Sequence, residues 1–193
     1  MARSFVHLRV HSEYSLVDGL IRIKPLIERA GELEMPAIGL TEQSNMCSLV
    51  KFYEGATGAG IKPIIGADIW LHNEEEPANP FRVTFLARNQ TGHLNLTEII
   101  SVGYTHGLKT GRPIVEREWI EPRTEGLIML SGARMGDVGK ALLAGKESLA
   151  EERARYWAAL FPDAFYLELQ RTGRPNDEDC VHAQVALAGK LQL

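Results

Sequence analysis

Cysteine is scarce in this sequence, and its scarcity excludes two common ways of holding a small protein together. Only Cys47 and Cys180 occur among the 193 residues, far apart and without a Cys-x-x-Cys spacing. A disulfide framework needs several cysteines, and a thiolate zinc site needs closely spaced ones. The chain must therefore rely on an apolar core, for which its hydrophobic content of 45% is sufficient.

The sequence also lacks a long apolar segment and an excess of positive charge. No run approaches the roughly 20 residues that cross a bilayer, and residues 1–7 contain no signal-peptide core. The 21 lysines and arginines are outnumbered by 25 aspartates and glutamates, which gives a net charge of -4. That sign opposes direct binding of a phosphate backbone. We therefore expect one cytoplasmic domain over residues 1–193 that contacts no membrane and does not itself hold DNA.

Short apolar runs of strand length alternate with longer segments of helical period. This alternation favours parallel strands joined by crossover helices, which is the α/β class. The glycine fingerprint of a dinucleotide fold is absent after the first strand, so a barrel is favoured over an open doubly wound sheet. The predicted strands are 5–10, 37–41, 61–71, 81–87, 126–131 and 164–169, and the predicted helices are 24–33, 46–57, 92–104, 138–143, 148–161 and 177–191.

Polar side chains follow the ends of several predicted strands. In a barrel these ends meet at one mouth, where the chemistry of the fold is found. Histidine and carboxylate side chains converging there are the usual ligands of zinc and of harder cations. The candidate cleft residues are Arg9, His11, Asp18, Glu42, Gln43, Asp68, Arg82 and Arg134.

Several motifs of the sequence carry a resemblance to a known family. They include His7-Leu-Arg-Val-His11-Ser-Glu-Tyr-Ser15, Leu40-Thr-Glu-Gln-Ser-Asn45, Gly60-Ile-Lys-Pro-Ile-Ile-Gly66 and Leu127-Ile-Met-Leu-Ser-Gly132. These runs resemble the PHP (polymerase and histidinol phosphatase) domain found at the amino terminus of bacterial replicative DNA polymerase III alpha subunits. The resemblance extends over essentially the whole chain.

The resemblance implies a distorted (β/α)7 barrel, truncated before its last strand or strands, at the front of a much longer DNA-directed DNA polymerase. It implies magnesium in the polymerase domain of that longer protein and no cofactor in this fragment. The implied partners are the proofreading exonuclease subunit and the remainder of the polymerase chain, and DNA is met only through the longer protein. A sheet edge exposed by truncation would favour a homodimer of the isolated fragment.

The sequence departs from the family at its metal-binding positions. Where the first motif of the family has His-x-His, this chain has Arg9-Val-His11, and a guanidinium cannot bind a metal. Where the second motif has Asp-His, this chain has Glu42-Gln43. The resemblance therefore implies a vestigial cleft with no catalytic residue and no metal.

Further substitutions point the same way. Asp68 stands in place of a glutamate, and Arg82 stands at the position of another ligand. Carboxylates that have lost their cations need other positive charge. We predict that Arg9 or Arg82 forms a buried ion pair with Glu42 or Asp68.

Two alternatives remain open at this point. The charged residues could be ordinary solvated groups on a rim. The loop Gly132-Ala-Arg134-Met-Gly136 could instead bind phosphate or pyrophosphate together with Arg9, His11 and Arg82. That arrangement would be a weak metal-dependent pyrophosphatase or phosphoesterase site.

Overall fold

A mixed seven-stranded sheet forms the centre of the structure, a computed structural model that describes residues 5–109 and 111–193. The strands are β1 (Ala37–Gln43), β2 (Lys62–Leu71), β3 (Phe81–Ala87), β4 (Leu108–Lys109), β5 (Arg112–Val115), β6 (Leu127–Leu130) and β7 (Phe165–Tyr166). The helices are α1 (Ile23–Glu32), α2 (Leu49–Gly58), α3 (Gln90–His106), α4 (Arg117–Ile120), α5 (Asp137–Leu143), α6 (Glu147–Leu160) and α7 (Asp177–Leu191). Within the described part of the chain, no helix has the length and apolar character of a membrane span.

The central strand β2 determines the topology. One edge of β2 pairs in parallel with β1 and, further along, with β5, while its other edge pairs with β3 in antiparallel orientation. β3 is antiparallel to β6, and β6 is parallel to β7. The expected α/β class is confirmed. The expectation of parallel strands throughout is wrong, because the short loop 72–80 between β2 and β3 reverses the chain direction.

Alternation along β2 and β3 separates an apolar face from a polar face. Odd-numbered residues of both strands belong to the main core, together with residues of α3, α5 and α6. These strand residues are Ala67, Ile69, Leu71, Phe81, Val83 and Phe85. Because successive side chains of a strand point to opposite faces, the even-numbered residues are placed on the other face. The candidate site lies there.

A second apolar cluster joins α1 and α2 to β1. Ile38 and Leu40 of β1 pack in it with Ile27 of α1 and Phe52 of α2. The helix-facing side of β1 is therefore the side of its even-numbered residues. Glu42 is also even-numbered, so its side chain lies on the helix-facing side of β1.

The first predicted strand is not a strand in the structure, and the last was predicted too long. The predicted strand 5–10 is an extended segment beside β1, where the His7 and Val10 carbonyls accept hydrogen bonds from Gly39 and Thr41. The predicted strand 164–169 shortens to β7. β4, β5 and α4 were not predicted, because elements of this length carry no periodic signal.

The start of α3 packs directly on the chain before β6. The Asn89 side chain caps the helix by accepting from the Gly92 N–H at 2.9 Å, and a Cβ atom at Gly92 would collide with the Gly126 carbonyl oxygen. Gly92→Ala should therefore lower the free energy of unfolding by about 1–3 kcal/mol, as overpacking does. Urea denaturation measures the change.

Gly58 supplies the matched control, because it also lies in a helix and a Cβ atom there would meet open space. Gly58→Ala should leave the unfolding free energy unchanged or slightly higher, since alanine favours helix by about 1 kcal/mol over glycine. Equal stability of the two variants would contradict the packing described for α3.

Candidate functional site

A fully buried carboxylate, that of Asp68, lies at the centre of the polar face of the sheet. The pairing of β2 with β3 sets Asp68 opposite Thr84 and Trp70 opposite Arg82. The Thr84 hydroxyl donates to Oδ1 of Asp68. The other carboxylate oxygen, Oδ2, accepts from charged groups that arrive from distant parts of the chain.

Arg9 supplies the closest of these groups. Its Nε and Nη2 lie 2.8 and 2.6 Å from Oδ2 of Asp68. Its Nη1 lies 3.1 Å from Oε1 of Glu168, two residues beyond β7. One guanidinium thus joins the segment beside β1, the central strand and the chain that follows β7.

His11 and Arg82 extend the network to Asp18. The Nε2 atom of His11 lies 2.7 Å from Oδ2 of Asp68, and its Nδ1 lies 3.3 Å from Oδ2 of Asp18. The Nη2 atom of Arg82 lies 2.7 Å from the same Asp18 oxygen and 3.2 Å from Oδ2 of Asp68. The guanidinium of Arg82 also stacks 5.0 Å from the centre of the Trp70 ring. The charged cluster consists of Arg9, His11, Asp18, Asp68, Arg82 and Glu168.

The electrostatics keep Asp68 and Arg9 ionised. Burial by itself would raise the pKa of Asp68, but the charge of Arg9, the hydrogen bond and charge of His11 and the charge of Arg82 lower it well below its usual value. Burial would lower the pKa of Arg9, yet Asp68 and Glu168 leave it raised. Asp68 and Arg9 therefore stay charged at neutral pH, and Arg9, Asp68 and Arg82 are too far buried to be the solvated rim groups described as an alternative.

The cluster does not fit a divalent metal ion. Oδ2 of Asp68 already accepts from Arg9, His11 and Arg82. Guanidinium groups offer no lone pair to a metal, so a cation would have to displace two fixed positive charges. Across residues 5–109 and 111–193, no three or more His, Cys, Asp or Glu side chains are grouped to hold a metal.

Glu42 lies outside the charged cluster. In the β1–β2 register Gln43 stands beside Asp68 and Glu42 stands beside Ala67, so the Glu42 side chain leaves from the opposite face. Its carboxylate accepts from the Ser12 N–H at 3.0 Å and from the Ser48 hydroxyl at 2.9 Å. The hydroxyls of Ser12 and Ser15 also donate to it. The predicted ion pairs therefore form with Asp68, whereas Glu42 is satisfied by neutral donors.

Gln43 lies beside Asp68, whereas Arg134 pairs with a carboxylate outside the charged cluster. Gln43 donates from Nε2 to the Asp68 carbonyl oxygen at 3.1 Å, and so braces the backbone of the central carboxylate. The Nη1 atom of Arg134 lies 3.3 Å from Oδ1 of Asp177, at the start of α7. The structure thus pairs Arg134 with Asp177, and it pairs Arg9 with Asp68 and Glu168.

Sequence reasoning missed three kinds of residue in and around the site. Thr84 could have been found, because it shares the parity of Arg82 on a correctly predicted strand. Glu168 was hidden inside a predicted strand that in fact ends at Tyr166. The serines that hold Glu42 gave no signal, because serine is common in loops of every kind.

Comparisons with known proteins show what the chain is similar to. The family model described as "PHP domain" matches residues 7–172. The chain is 56% identical over 191 residues to DNA polymerase III subunit alpha of Pseudomonas fluorescens, and 49% identical over 184 residues to that of Escherichia coli K12. These matches cover 99% and 95% of this chain, but the chain spans 16% of the length of each relative.

Two solved structures share the fold. A protein of Bifidobacterium adolescentis, proposed to be a metal-dependent phosphoesterase, has a TM-score of 0.61 at 11% identity, with coverage of 99% of this chain and 85% of that one. An amidohydrolase of Chromobacterium violaceum, with bound sulfate and no metal, has a TM-score of 0.60 at 12% identity, with coverage of 97% and 84%. Identities this low indicate a shared fold alone.

The lowered pKa of Asp68 predicts how stability depends on pH. Above the unfolded value of about 4, the ionised carboxylate stabilises the fold in full. As the pH falls below that value toward the lower folded pKa, the unfolded chain binds the proton first and the stabilisation is lost. Asp68→Asn should lower the unfolding free energy by about 3–5 kcal/mol at pH 7. The difference in unfolding free energy between Asp68→Asn and the unmodified chain should become smaller below about pH 4.

Urea denaturation at a series of pH values measures this difference. Asp163→Asn is the control, because Asp163 is exposed and its φ of 56° suits asparagine. The control should change stability by less than about 0.5 kcal/mol at every pH. A deficit in Asp68→Asn that stayed constant from neutral to acidic pH would contradict the ionised state assigned to Asp68.

Proposed function

The chain belongs to the PHP domain family, and from this membership we propose that it forms the amino-terminal domain of a bacterial DNA polymerase III alpha subunit. Identities of 56% and 49% over nearly the whole chain support this assignment. The longer protein would be a cytoplasmic DNA-directed DNA polymerase. Its magnesium-dependent nucleotidyl transfer would belong to the part of the subunit that lies outside this chain.

Within that subunit the domain acts as a structural and docking module and not as a hydrolase. The observation that carries this proposal is the contact of two guanidiniums with Oδ2 of Asp68. The guanidiniums of Arg9 and Arg82 offset two of the three carboxylates of the cluster without any divalent ion. A face arranged in this way stabilises the sheet but offers no site for a metal-bound nucleophile.

The docking partner proposed for this module is the separate proofreading exonuclease subunit. A polymerase whose own PHP domain hydrolyses nothing needs proofreading from another protein. Docking to a rigid domain would hold that protein at the polymerase. The alternative function is a weak metal-dependent pyrophosphatase or phosphoesterase site, and metal binding separates the two.

Measurements of bound metal and of hydrolysis test the proposal that this domain has no metal-dependent activity. After chelation and readdition of zinc or manganese, the chain should retain well under about one equivalent of metal. It should hydrolyse pyrophosphate and a phosphodiester no faster than a metal-free control. Elemental analysis and phosphate release are the measurements.

Arg9→His serves as the comparison, because it removes the guanidinium and restores a possible ligand beside His11. Arg29→His is its control, since Arg29 is an exposed partner of Glu32 on α1. Tight binding of about one equivalent by the unmodified chain, together with metal-dependent hydrolysis, would establish the alternative function.

Docking is tested with the proofreading exonuclease subunit of the same organism. The chain and that subunit should co-elute on size exclusion as one complex, with a mass by light scattering equal to the sum of the two. Asp68→Asn should weaken the complex, because it loosens the sheet that presents the docking surface, whereas Asp163→Asn should not. Separate elution at concentrations up to about 100 µM would contradict a docking role for this domain alone.

A further inference from the structure

Residues 12–21 form a closed loop with two leucines on it, which we call the leucine loop. Its ends meet where the Glu13 N–H donates to the Ile21 carbonyl at 2.8 Å and Ser12 bridges to Ile21. The turn between them, Glu13–Asp18, is a 3-10 helix. The loop is therefore a compact projection from the domain and not a slack connection.

The inner side of the leucine loop is tied to the domain by polar contacts. The hydroxyls of Ser12 and Ser15 donate to Glu42, and Asp18 accepts from Arg82 at 2.7 Å. Asn45 donates to the Tyr14 carbonyl at 3.1 Å. A Cβ atom at Gly19 would collide with the Ser12 carbonyl, so the chain crosses itself closely there. The leucine loop is therefore attached to Glu42 on the helix-facing side of the sheet and to Arg82 on its polar face.

The outer side presents apolar side chains to solvent. Leu16 is 81% exposed and Leu20 is 97% exposed. Leu16 has φ of 55° and ψ of -97°, a combination that costs energy for a residue with a side chain. Such strain persists where surrounding contacts enforce it, and the contacts of Ser12, Ser15 and Asp18 hold the loop on either side of Leu16.

The neighbouring helix α2 continues this apolar surface. Lys51 of α2 pairs with Glu13 at 3.9 Å and lies 5.6 Å from the centre of the Tyr14 ring. On either side of Lys51 in the sequence, α2 exposes Val50 and Tyr53. The projecting leucines thus adjoin a helix that also has unburied apolar groups.

The area of this surface argues against a second copy of the chain as its occupant. A stable interface between separate chains buries about 800 Å² on each partner, which is more than the exposed parts of Leu16, Leu20, Val50 and Tyr53 provide. A segment of the same polypeptide needs less area, because the covalent connection raises its effective concentration. The relatives matched here are aligned over only 16% of their length, so a subunit of that size would have ample chain to cover the loop.

We propose that Leu16 and Leu20 insert into an apolar pocket on the polymerase part of the same subunit. This proposal rests on the proposed function, because it requires that the longer chain exists. Asp18 is then a positioning residue, which connects the leucine loop to the charged cluster through Arg82. The cluster that leaves no room for a metal would set the shape of the docking loop.

Site-specific photocrosslinking in the full-length subunit tests the proposal. Leu20 is replaced by p-benzoyl-phenylalanine, and the control carries it in place of Leu94, an α3 side chain that is 54% exposed. The probe at position 20 should link to peptides beyond residue 193 of the same chain. Its yield should exceed that of the control severalfold, because a side chain seated in a pocket stays in contact with its partner whereas the control side chain faces solvent.

Mapping of the crosslinked peptides identifies the partner of position 20 and so shows the results that would contradict the proposal. Links from position 20 to a second copy, links to the exonuclease subunit, or a yield no higher than at position 94 would each overturn the proposal. Asp18→Asn should reduce the specific yield severalfold without affecting the control probe, because it frees one side of the loop.

Primer extension by the unmodified full-length subunit separates this inference from the proposed function. Extension without the specific crosslink overturns the docking of the leucine loop and leaves the polymerase assignment standing. Absence of any extension overturns the polymerase assignment and, with it, the partner named for the loop.

Discussion

The structure depends on one carboxylate that is ionised out of contact with water. Removing a charge from water costs several kcal/mol, so Asp68 can remain charged at the centre of the sheet only with cationic partners at hydrogen-bonding distance. Arg9 and Arg82 meet that need, and each brings a further carboxylate to balance its own charge. The segment beside β1, the leucine loop and the chain after β7 are therefore positioned by a single electrostatic requirement.

Fixed organic cations differ from metal ions in ways that suit the proposed role. A metal ion exchanges with solvent and is lost to chelators or to acid, whereas a guanidinium is part of the chain and stays protonated. Its donors form a planar fork, so Arg9 can contact Asp68 and Glu168 at once and specify the angle between them. Arg9 and Arg82 thus hold Asp68 through groups that do not exchange with solvent.

The parts of this structure that the sequence predicted are those with a repeating signal. Strand β3 and helix α7 were assigned with correct bounds, and the pairing of Arg9 and Arg82 with Asp68 followed from charge balance. Glu42 was misplaced although its parity with Ile38 and Leu40 assigns it to the helix side of β1. The direction of β3 and the contact of Glu168 were not predictable in the same way, because both depend on how distant segments meet.

The contact between Arg9 and Glu168 joins residues that are 159 positions apart. During synthesis the chain emerges from its amino terminus, so Arg9 and Asp68 are available long before Glu168 leaves the ribosome. Until then, one side of the Arg9 guanidinium has no carboxylate opposite it. The contact with Glu168 can therefore form only after the 159 positions that follow Arg9 have been synthesised, later than the contact of Arg9 with Asp68.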